Sequence, residues 1–175
     1  MPELPEVQTI LNGLEKELKG KIIEGLDSYH QRTLLRDKEL SASPFPAIII
    51  DLERRGKFIL IHLENENTII IHLGMTGKLV LNRASTEISK YERACFIINK
   101  KDKLHFIDIR TFGKIIICPN KNVSQYLPEL GVEPLSKDFN LSYLRKALKT
   151  RKAPIKNILM DQKIIAGLGN IYANE

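Results

Sequence analysis

Between Lys21 and Pro119, short runs rich in isoleucine, valine and phenylalanine alternate with short polar segments, and this pattern constrains the fold more than any other feature. β-Branched and aromatic residues favour strands, and polar segments such as ENEN and NKKDK are typical of turns between antiparallel strands. The pattern predicts an antiparallel, hairpin-linked sheet system that closes as a β-sandwich. The polar segment NRASTEISKYE, residues 82–92, is predicted to be a loop.

Helical periodicity occurs on both sides of this strand-rich region. Near the N-terminus, Val7, Leu11 and Leu18 fall on one helical face. Towards the C-terminus, LSYLRKALKT and APIKNILMD are predicted helices, LPELGVEPLS is a linker or short helix, and NIYANE is predicted to start a further helix. We therefore predict an α+β fold with two domains, residues 1–122 and 123–175.

The charge balance is compatible with nucleic-acid binding but does not identify the partner of the chain. It carries 27 Lys and Arg against 21 Asp and Glu, a formal charge of +6, which permits phosphate neutralisation on nucleic acid but does not require it. No apolar run is long enough for a transmembrane helix and no basic segment precedes an apolar one at the N-terminus, so we expect a soluble protein without a secretory signal. Cys95 and Cys118 match no metal-ligand spacing and are predicted to be buried thiols.

Four segments, taken in their order along the chain, point to one protein family. They are PELPEV at the start, the internal HLGMTG and DIRTFGK, and the late run KNILMDQKIIAGLGNIYANE. In this order they resemble the formamidopyrimidine-DNA glycosylases, bifunctional base-excision repair enzymes that remove oxidised purines. Leu4 favours this purine-lesion branch over the endonuclease VIII-like enzymes. The resemblance implies a β-sandwich flanked by helices, followed by a helix–two-turn–helix domain that ordinarily ends in a zinc finger.

The resemblance implies that the chemistry starts at the N-terminus. A chain that begins Met-Pro is expected to lose its methionine, which leaves a secondary amine on Pro2; an α-amino group has a pKa of about 7.7–8.0, so part of it is unprotonated near neutral pH. That amine can attack C1′ of a damaged nucleoside, form a Schiff base and allow β,δ-elimination. Glu3 would be the catalytic carboxylate, Glu6 would assist near Pro2, and Lys57 would contact a phosphate beside the lesion. Without the resemblance, the two glutamates are ordinary acids of a first helical turn and Lys57 belongs to a solvated basic turn.

Three further residues would replace a nucleotide that is turned out of the duplex. The resemblance implies that Met75 fills the resulting void, that Arg110 donates to the orphaned partner base, and that Phe112 wedges beside the base step. Gly74 and Gly113 beside them favour exposed turn tips. Taken singly, a residue such as Met75 or Phe112 is more often packed in a core.

Phosphate contacts are implied for His72, for Lys156 and for the turn GLGN, after which Asn170 opens a helix N-terminus. Gly167 and Gly169 would let backbone N–H groups approach an anion. Lys156 is equally compatible with an exposed helix lysine, and His72 with a strand histidine satisfied by its neighbours.

The sequence also departs from the family pattern. It has no C-x-x-C pair, so we predict no metal site and no cofactor in this chain, whereas one structural zinc is expected in a full-length member. Without the zinc finger, the end of the second recognition helix and the lesion-capping loop, we expect weak binding to damaged duplex and poor turnover. The implied partner is double-stranded DNA with oxidised purines or abasic sites, and the implied protein is a monomer of the bacterial cytoplasm, associated with the nucleoid.

Three other interpretations stay open on the sequence alone. The first is a non-catalytic remnant that binds damaged DNA, and the second is an endonuclease VIII-like glycosylase acting on pyrimidine lesions. The third is a basic β-sandwich module with an appended helical hairpin, which explains the core but not the opening residues PEL.

Overall fold

The computed structural model describes residues 1–40, 42–82, 89–149 and 151–175. The described chain begins with helix α1 (Leu4–Leu18), continues through nine strands and ends with three further helices. The strands are β1 (Ile22–Ser28), β2 (Leu34–Arg36), β3 (Ala47–Arg55), β4 (Phe58–Leu63), β5 (Asn67–His72), β6 (Lys78–Asn82), β7 (Glu92–Ile98), β8 (Asp102–Ile107) and β9 (Lys114–Pro119). The helices are α2 (Val123–Tyr126), α3 (Leu141–Lys149) and α4 (Ile155–Met160). Most of the loop predicted over residues 82–92 falls on 83–88, which lie outside the described residues.

The strands form one sheet in the order β2-β9-β5-β4-β3-β1-β7-β8-β6. Its two halves meet at β3, which pairs with β4 on one side and with β1 on the other. Ile69 and Ile71 from one half share a core with Phe96 and Phe106 from the other, so the sheet closes on itself as a sandwich. The α+β fold class is confirmed. Among the described strands every pairing is antiparallel except that of β2 with β9, a parallel pair that the sequence did not predict.

Strands β4 and β5 are buried on both faces. Ile59 and Ile61 face the main core, while Leu60 joins Ile70 and Cys118 in a second cluster that α2 covers. This two-sided burial explains why FILIHL and NTIIIH read as continuous apolar runs instead of alternating ones.

Helix α1 packs its apolar face against the sandwich, as predicted. Val7, Leu11 and Leu18 are buried there, and Gly20, at φ +79°, takes the left-handed conformation that ends many helices. The first turn is tied to the far end of the chain, since the Leu4 N–H donates to the Gly167 carbonyl at 3.0 Å. The start of the chain and its last segment therefore lie side by side.

The two helices predicted after the sandwich are present as α3 and α4, and they enclose a third apolar cluster around Ile158, Ile164 and Ile165. Of the helix predicted to start at NIYANE, the described residues form one turn and no assigned helix. In residues 170–174 the Ala173 N–H donates to the Gly169 carbonyl at 3.1 Å and the Asn174 N–H to the Ile171 carbonyl at 3.0 Å, and two such bonds do not offset the cost of helix nucleation. The domain boundary after residue 122 stays a prediction. No helix in the described parts of the chain is long and apolar enough to cross a membrane.

Candidate active site

A cavity of about 420 Å³ opens where the start of α1, the β3–β4 turn and the segment after α4 meet. Its walls are formed by Met1, Glu3, Lys57, Met75, Met160, Gln162, Leu168, Gly169, Asn170 and Ile171. Four residues predicted from the sequence thus converge on one space, next to the first residue of the chain. A larger cleft of about 610 Å³ lies between the segments around Glu39, Asn65 and Lys121 and contains none of the predicted site residues. We place the candidate site in the smaller cavity because the side chains predicted to be catalytic, Glu3 and Lys57, meet there.

The carboxylate of Glu3 is buried and held by backbone donors from the other end of the chain. Only 2% of Glu3 is exposed. Its oxygens accept the N–H groups of Gly169 at 2.7 Å, Ile171 at 2.8 Å and Tyr172 at 3.4 Å. This arrangement fixes the direction in which the carboxylate faces the cavity.

The N–H groups of the two glycines in the GLGN turn donate to acceptors within the protein, and only one of these acceptors, Glu3, is an anion. The Gly169 N–H donates to Glu3, and the Gly167 N–H donates to the Gln162 side chain at 2.9 Å. Gln162 also donates to the Leu168 carbonyl at 2.5 Å and so braces the turn. In the free chain, acceptors within the protein occupy both amide groups, and their contact with a DNA phosphate stays a prediction.

Glu6 connects the same two parts of the chain. Its carboxylate accepts the Glu3 N–H at 2.9 Å and the Tyr172 hydroxyl at 2.8 Å. Burial alone would raise the pKa of Glu6, but these two hydrogen bonds outweigh it and hold that pKa below its ordinary value. Sequence reasoning missed Tyr172. The residue lies in the motif NIYANE, but nothing in that motif indicates a partner 166 residues away.

Lys57 lies at the end of the turn between β3 and β4 and is only 7% exposed. Burial lowers the pKa of its ammonium, and the nearby charges of Glu3 and Glu6 partly oppose that shift. A lysine in such surroundings can give up its proton more readily than an exposed one, and as a cation it is a compact partner for phosphate.

The turn that carries Lys57 is fixed by Glu133, a residue that sequence reasoning missed. The Glu133 carboxylate accepts the Gly56 N–H at 2.7 Å and pairs with Arg54 at 2.6 Å and Arg55 at 2.9 Å. The alternative of a solvated basic turn is therefore wrong, since both arginines are engaged. The only signal in the sequence was an acidic residue in the predicted linker. Its partner Gly56 lies 77 residues earlier, so no local pattern connects the two.

Met75 and Phe112 lie at the tips of two neighbouring turns, β5–β6 and β8–β9. Met75 is 42% exposed and Phe112 is 53% exposed, so the alternative of core packing is wrong for both. The Arg110 guanidinium lies 5.0 Å from the centre of the Phe112 ring, within cation–π range. A thioether, a guanidinium and an aromatic ring thus stand on two neighbouring turns, and the thioether of Met75 lines the cavity.

Asp108 organises both of these turns and was also missed as a site residue. It is fully buried; it accepts the Thr76 hydroxyl at 2.5 Å, the Arg110 N–H at 3.2 Å and the Gly113 N–H at 2.8 Å. The turns are also in backbone contact, because a Cβ on Gly74, at φ +60°, would lie 2.7 Å from the Gly113 nitrogen.

His72 ends β5 beside the Met75 turn. Its ring lies 4.7 Å from the Phe58 ring, and its Nδ1 accepts the Gly74 N–H at 3.2 Å. With Nδ1 as acceptor, the neutral ring carries its proton on Nε2, where it can donate to an anion. Burial and, secondarily, the Lys57 charge lower the pKa of His72.

This lowered pKa predicts a loss of stability in mild acid. Because the unfolded chain binds the proton more readily, stability falls as the pH drops from 6.5 through the lower folded pKa, and no further loss follows below it. The loss is about 1.4 kcal/mol for each unit by which the pKa is lowered. His72→Asn, which can still accept the Gly74 N–H, should flatten this slope in urea unfolding measured between pH 7.5 and 5. An unchanged slope would contradict the assignment.

Lys156 and Asn170 complete the predicted set. Lys156 is half-buried on α4, one turn before Met160, which lines the cavity, and residues spaced by four share a helix face. Asn170 is exposed at the rim of the cavity. Both therefore lie on the side of the molecule where the catalytic groups open to solvent.

The zinc site that the resemblance implies does not fit the residues of this chain. The chain has two cysteines, Cys95 on β7 and Cys118 on β9, and both are free and buried as predicted. A four-cysteine zinc finger needs four clustered thiolates. No step of the chemistry is therefore assigned to such an ion.

Comparisons with known proteins agree with this arrangement. Residues 1–115 match the formamidopyrimidine-DNA glycosylase N-terminal domain, and residues 130–175 match the formamidopyrimidine-DNA glycosylase H2TH domain. The formamidopyrimidine-DNA glycosylases of Rickettsia bellii and Desulforamulus reducens are 41% and 39% identical over the whole chain, which covers 65% of each. A crystal structure of the Lactococcus lactis enzyme, non-covalently bound to DNA containing an AP site, gives a TM-score of 0.90 at 30% identity, over 99% of this chain and 67% of that one. The chain thus spans about two thirds of the length of these relatives.

Proposed function

The chain belongs to the formamidopyrimidine-DNA glycosylase family, and on that premise we propose that it excises oxidised purines from duplex DNA and then cleaves the abasic strand. The substrates would be 8-oxoguanine and formamidopyrimidines, met on the DNA of the bacterial cytoplasm. The observation that carries this proposal is the cavity that joins the start of the chain to Glu3 and Lys57.

The proposed nucleophile is the Pro2 nitrogen after removal of Met1. Met1 lines the cavity, so its removal would leave the new amine at the wall next to the Glu3 carboxylate. The nitrogen lone pair attacks C1′ of the damaged nucleoside, and the base departs with the proton of the amine. The C1′–O4′ bond then breaks as O4′ takes a proton, which leaves an iminium between Pro2 and the ring-opened sugar. The iminium acidifies the C2′ proton, whose removal begins β-elimination, and δ-elimination follows.

Glu3 and Lys57 would supply the charges that this sequence of steps needs. A carboxylate fixed by three N–H groups can accept and return protons at the sugar and stabilise cationic character on it without reorganising. Lys57 and the Nε2–H of His72 would hold the phosphates that flank the lesion. Lys156 and Asn170 would add contacts further along the strand.

The two turns at the edge of the cavity would hold the duplex open. When the damaged nucleotide leaves the stack, Met75 can occupy the void and Phe112 can wedge beside the step. The Arg110 guanidinium, already next to the Phe112 ring, would donate to the orphaned base, which favours cytosine. The exposure of all three tips in the free protein fits this use.

Borohydride trapping tests the proposal directly. We expect the chain to form a covalent adduct with a duplex containing 8-oxoguanine opposite cytosine, because borohydride reduces the iminium to a stable amine. Intact mass of the same sample should show that the reactive fraction lacks Met1. A chain with a chemically blocked N-terminus is the matched control and should not be trapped. An adduct of equal yield from the blocked chain would place the nucleophile elsewhere.

The same assay separates the two alternative functions. A non-catalytic remnant would shift the damaged duplex in a gel without forming an adduct. A pyrimidine-lesion enzyme would be trapped more efficiently on thymine glycol than on 8-oxoguanine. The position of Arg110 favours the purine substrate, since its guanidinium can recognise the cytosine that such a lesion leaves behind.

A further inference from the structure

A second group of metal-ligating side chains lies on the β7–β8 hairpin, apart from the residues that line the catalytic cavity. Glu92, Cys95 and His105 each place one ligand atom within 4.8 Å of the other two. Cys95 and His105 stand directly opposite each other on the two strands. His105 Nδ1 and a Glu92 carboxylate oxygen are already 2.5 Å apart.

A β-bulge brings the third ligand onto this face. Residues on one strand alternate between faces, so Glu92, three positions before Cys95, would ordinarily point to the other side. The register shifts between Glu92 and Ala94, so that Glu92 pairs with Ile107 and shares the face of His105. Bulges are known for re-aiming a side chain in this way. On the opposite face, Ala94 and Phe96 fill the main core.

The Glu92 carboxylate is incompletely satisfied in this position. Its side chain is only 2% exposed, and its second oxygen, Oε2, is buried without a hydrogen-bond partner among the described residues. Leaving a buried acceptor unpaired costs about 1–3 kcal/mol, and more for a charged one. The Cys95 thiol donates to the Phe96 carbonyl at 3.8 Å and also interacts with the Glu92 side chain, so the three side chains already lie in mutual contact.

We propose that Glu92, Cys95 and His105 form a binding site for a divalent transition-metal ion of the zinc type. The three donors are a carboxylate oxygen, a thiolate sulfur and an imidazole nitrogen. Zn²⁺ accepts all three in tetrahedral geometry, whereas Mg²⁺ and Ca²⁺ prefer oxygen ligands alone. The fourth position would be taken by water, because His105 lies at the partly exposed side of the group.

Binding requires the release of one proton and the opening of one contact in this site. Burial and the Glu92 charge raise the pKa of the Cys95 thiol to about 11, so the thiol is protonated in the free chain and gives its proton to solvent as the sulfur binds the ion. His105 binds through Nδ1, with its proton on Nε2. The oxygen–nitrogen contact between Glu92 and His105 opens to admit the ion, which replaces the hydrogen bond between them. The ion would cross-link β7 to β8 and satisfy the buried oxygen.

Cobalt provides the most specific test, because Co²⁺ bound to a thiolate gives a charge-transfer band in the near ultraviolet. Titration of the whole chain with Co²⁺ should produce this band and saturate at one ion per chain, and Zn²⁺ should bleach it. Cys95→Ser should remove the band and weaken binding by at least about a hundredfold, while Cys118→Ser, the matched control, should keep both. The control is well matched because Cys118 is also buried with a pKa raised to about 11. Zn²⁺ at a hundredfold excess over its Kd should raise the Tm by about 5–10 °C.

The outcomes are decisive in either direction and do not depend on DNA incision. If Cys95→Ser does not fold, His105→Asn at the partly exposed position replaces it and should also weaken binding. A missing band at saturating Co²⁺, or a band that survives both substitutions, would overturn the site. A band lost with Cys118→Ser but kept with Cys95→Ser would overturn it as well. Unchanged incision in the Cys95→Ser variant would leave the catalytic proposal intact.

Discussion

Gly169→Ala is expected to reduce incision of an 8-oxoguanine duplex by at least about a hundredfold, the scale of loss that a displacement of about 1 Å produces in an active site. A Cβ on Gly169 would lie 2.4 Å from the Glu3 carboxyl carbon and 2.8 Å from the Lys57 ammonium nitrogen. Both groups would have to move, and the Glu3 hydrogen bond from the Gly169 N–H would be strained at the same time. One methyl group would therefore displace two catalytic residues together.

The expected loss of incision comes from steric overlap with the neighbours of Gly169 and not from its backbone conformation. Its φ lies outside the left-handed region, so alanine could adopt the same backbone in open space. Gly13→Ala on α1 is the matched control, since a Cβ there meets nothing within 4 Å and should stabilise the helix by about 0.5–1 kcal/mol. The single-turnover incision rate, measured beside a thermal melt of each variant, separates displacement from unfolding. A folded Gly169→Ala chain with the parent rate would contradict the geometry.

The elements of the fold that could be predicted are those whose buried residues recur at helical or strand spacing in the sequence. The spacing of Val7, Leu11 and Leu18 placed α1 correctly, and the isoleucine-rich runs gave the strands of the sandwich. The parallel partner β2 was missed because Leu34–Arg36 is a three-residue strand with no periodicity to read. At NIYANE the described residues form one turn and not an assigned helix, although the N–H groups of Ile171 and Tyr172 donate to Glu3 as the first N–H groups of a helix can.

The site residues that could be predicted from the sequence are those whose role follows from the motif in which they lie. Glu3, Lys57 and Met75 were placed in one cavity by motifs read separately. Glu133 and Tyr172 escaped because their partners lie 77 and 166 residues away in sequence. Cys95 and His105 are likewise brought together by the register of β7 and β8, which their spacing along the sequence does not reveal.

Asp108→Ala is expected to lower the free energy of unfolding by about 3 kcal/mol, because it removes a buried carboxylate that three donors share. The buried Gly113 N–H and the partly buried Thr76 hydroxyl would lose their acceptor, while the exposed Arg110 N–H would keep the Thr76 hydroxyl oxygen at 3.1 Å. Urea unfolding measures the loss. Asp138→Ala is the control, an exposed aspartate whose replacement should change stability by no more than about 0.5 kcal/mol.

The same substitution should separate recognition from chemistry. Asp108 holds the turn of Arg110 and Phe112 against the turn of Thr76 and Met75, whereas Glu3 is held by backbone N–H groups of the segment after α4. At a temperature where the Asp108→Ala chain is folded, the preference for 8-oxoguanine opposite cytosine should fall by about tenfold or more, since one good bidentate base contact is worth about 1–3 kcal/mol. Trapping by borohydride on a preformed abasic site should fall less, because the groups that react with the sugar are undisturbed. An equal loss on both substrates would mean that Asp108 supports the catalytic centre itself and not the base-reading turns.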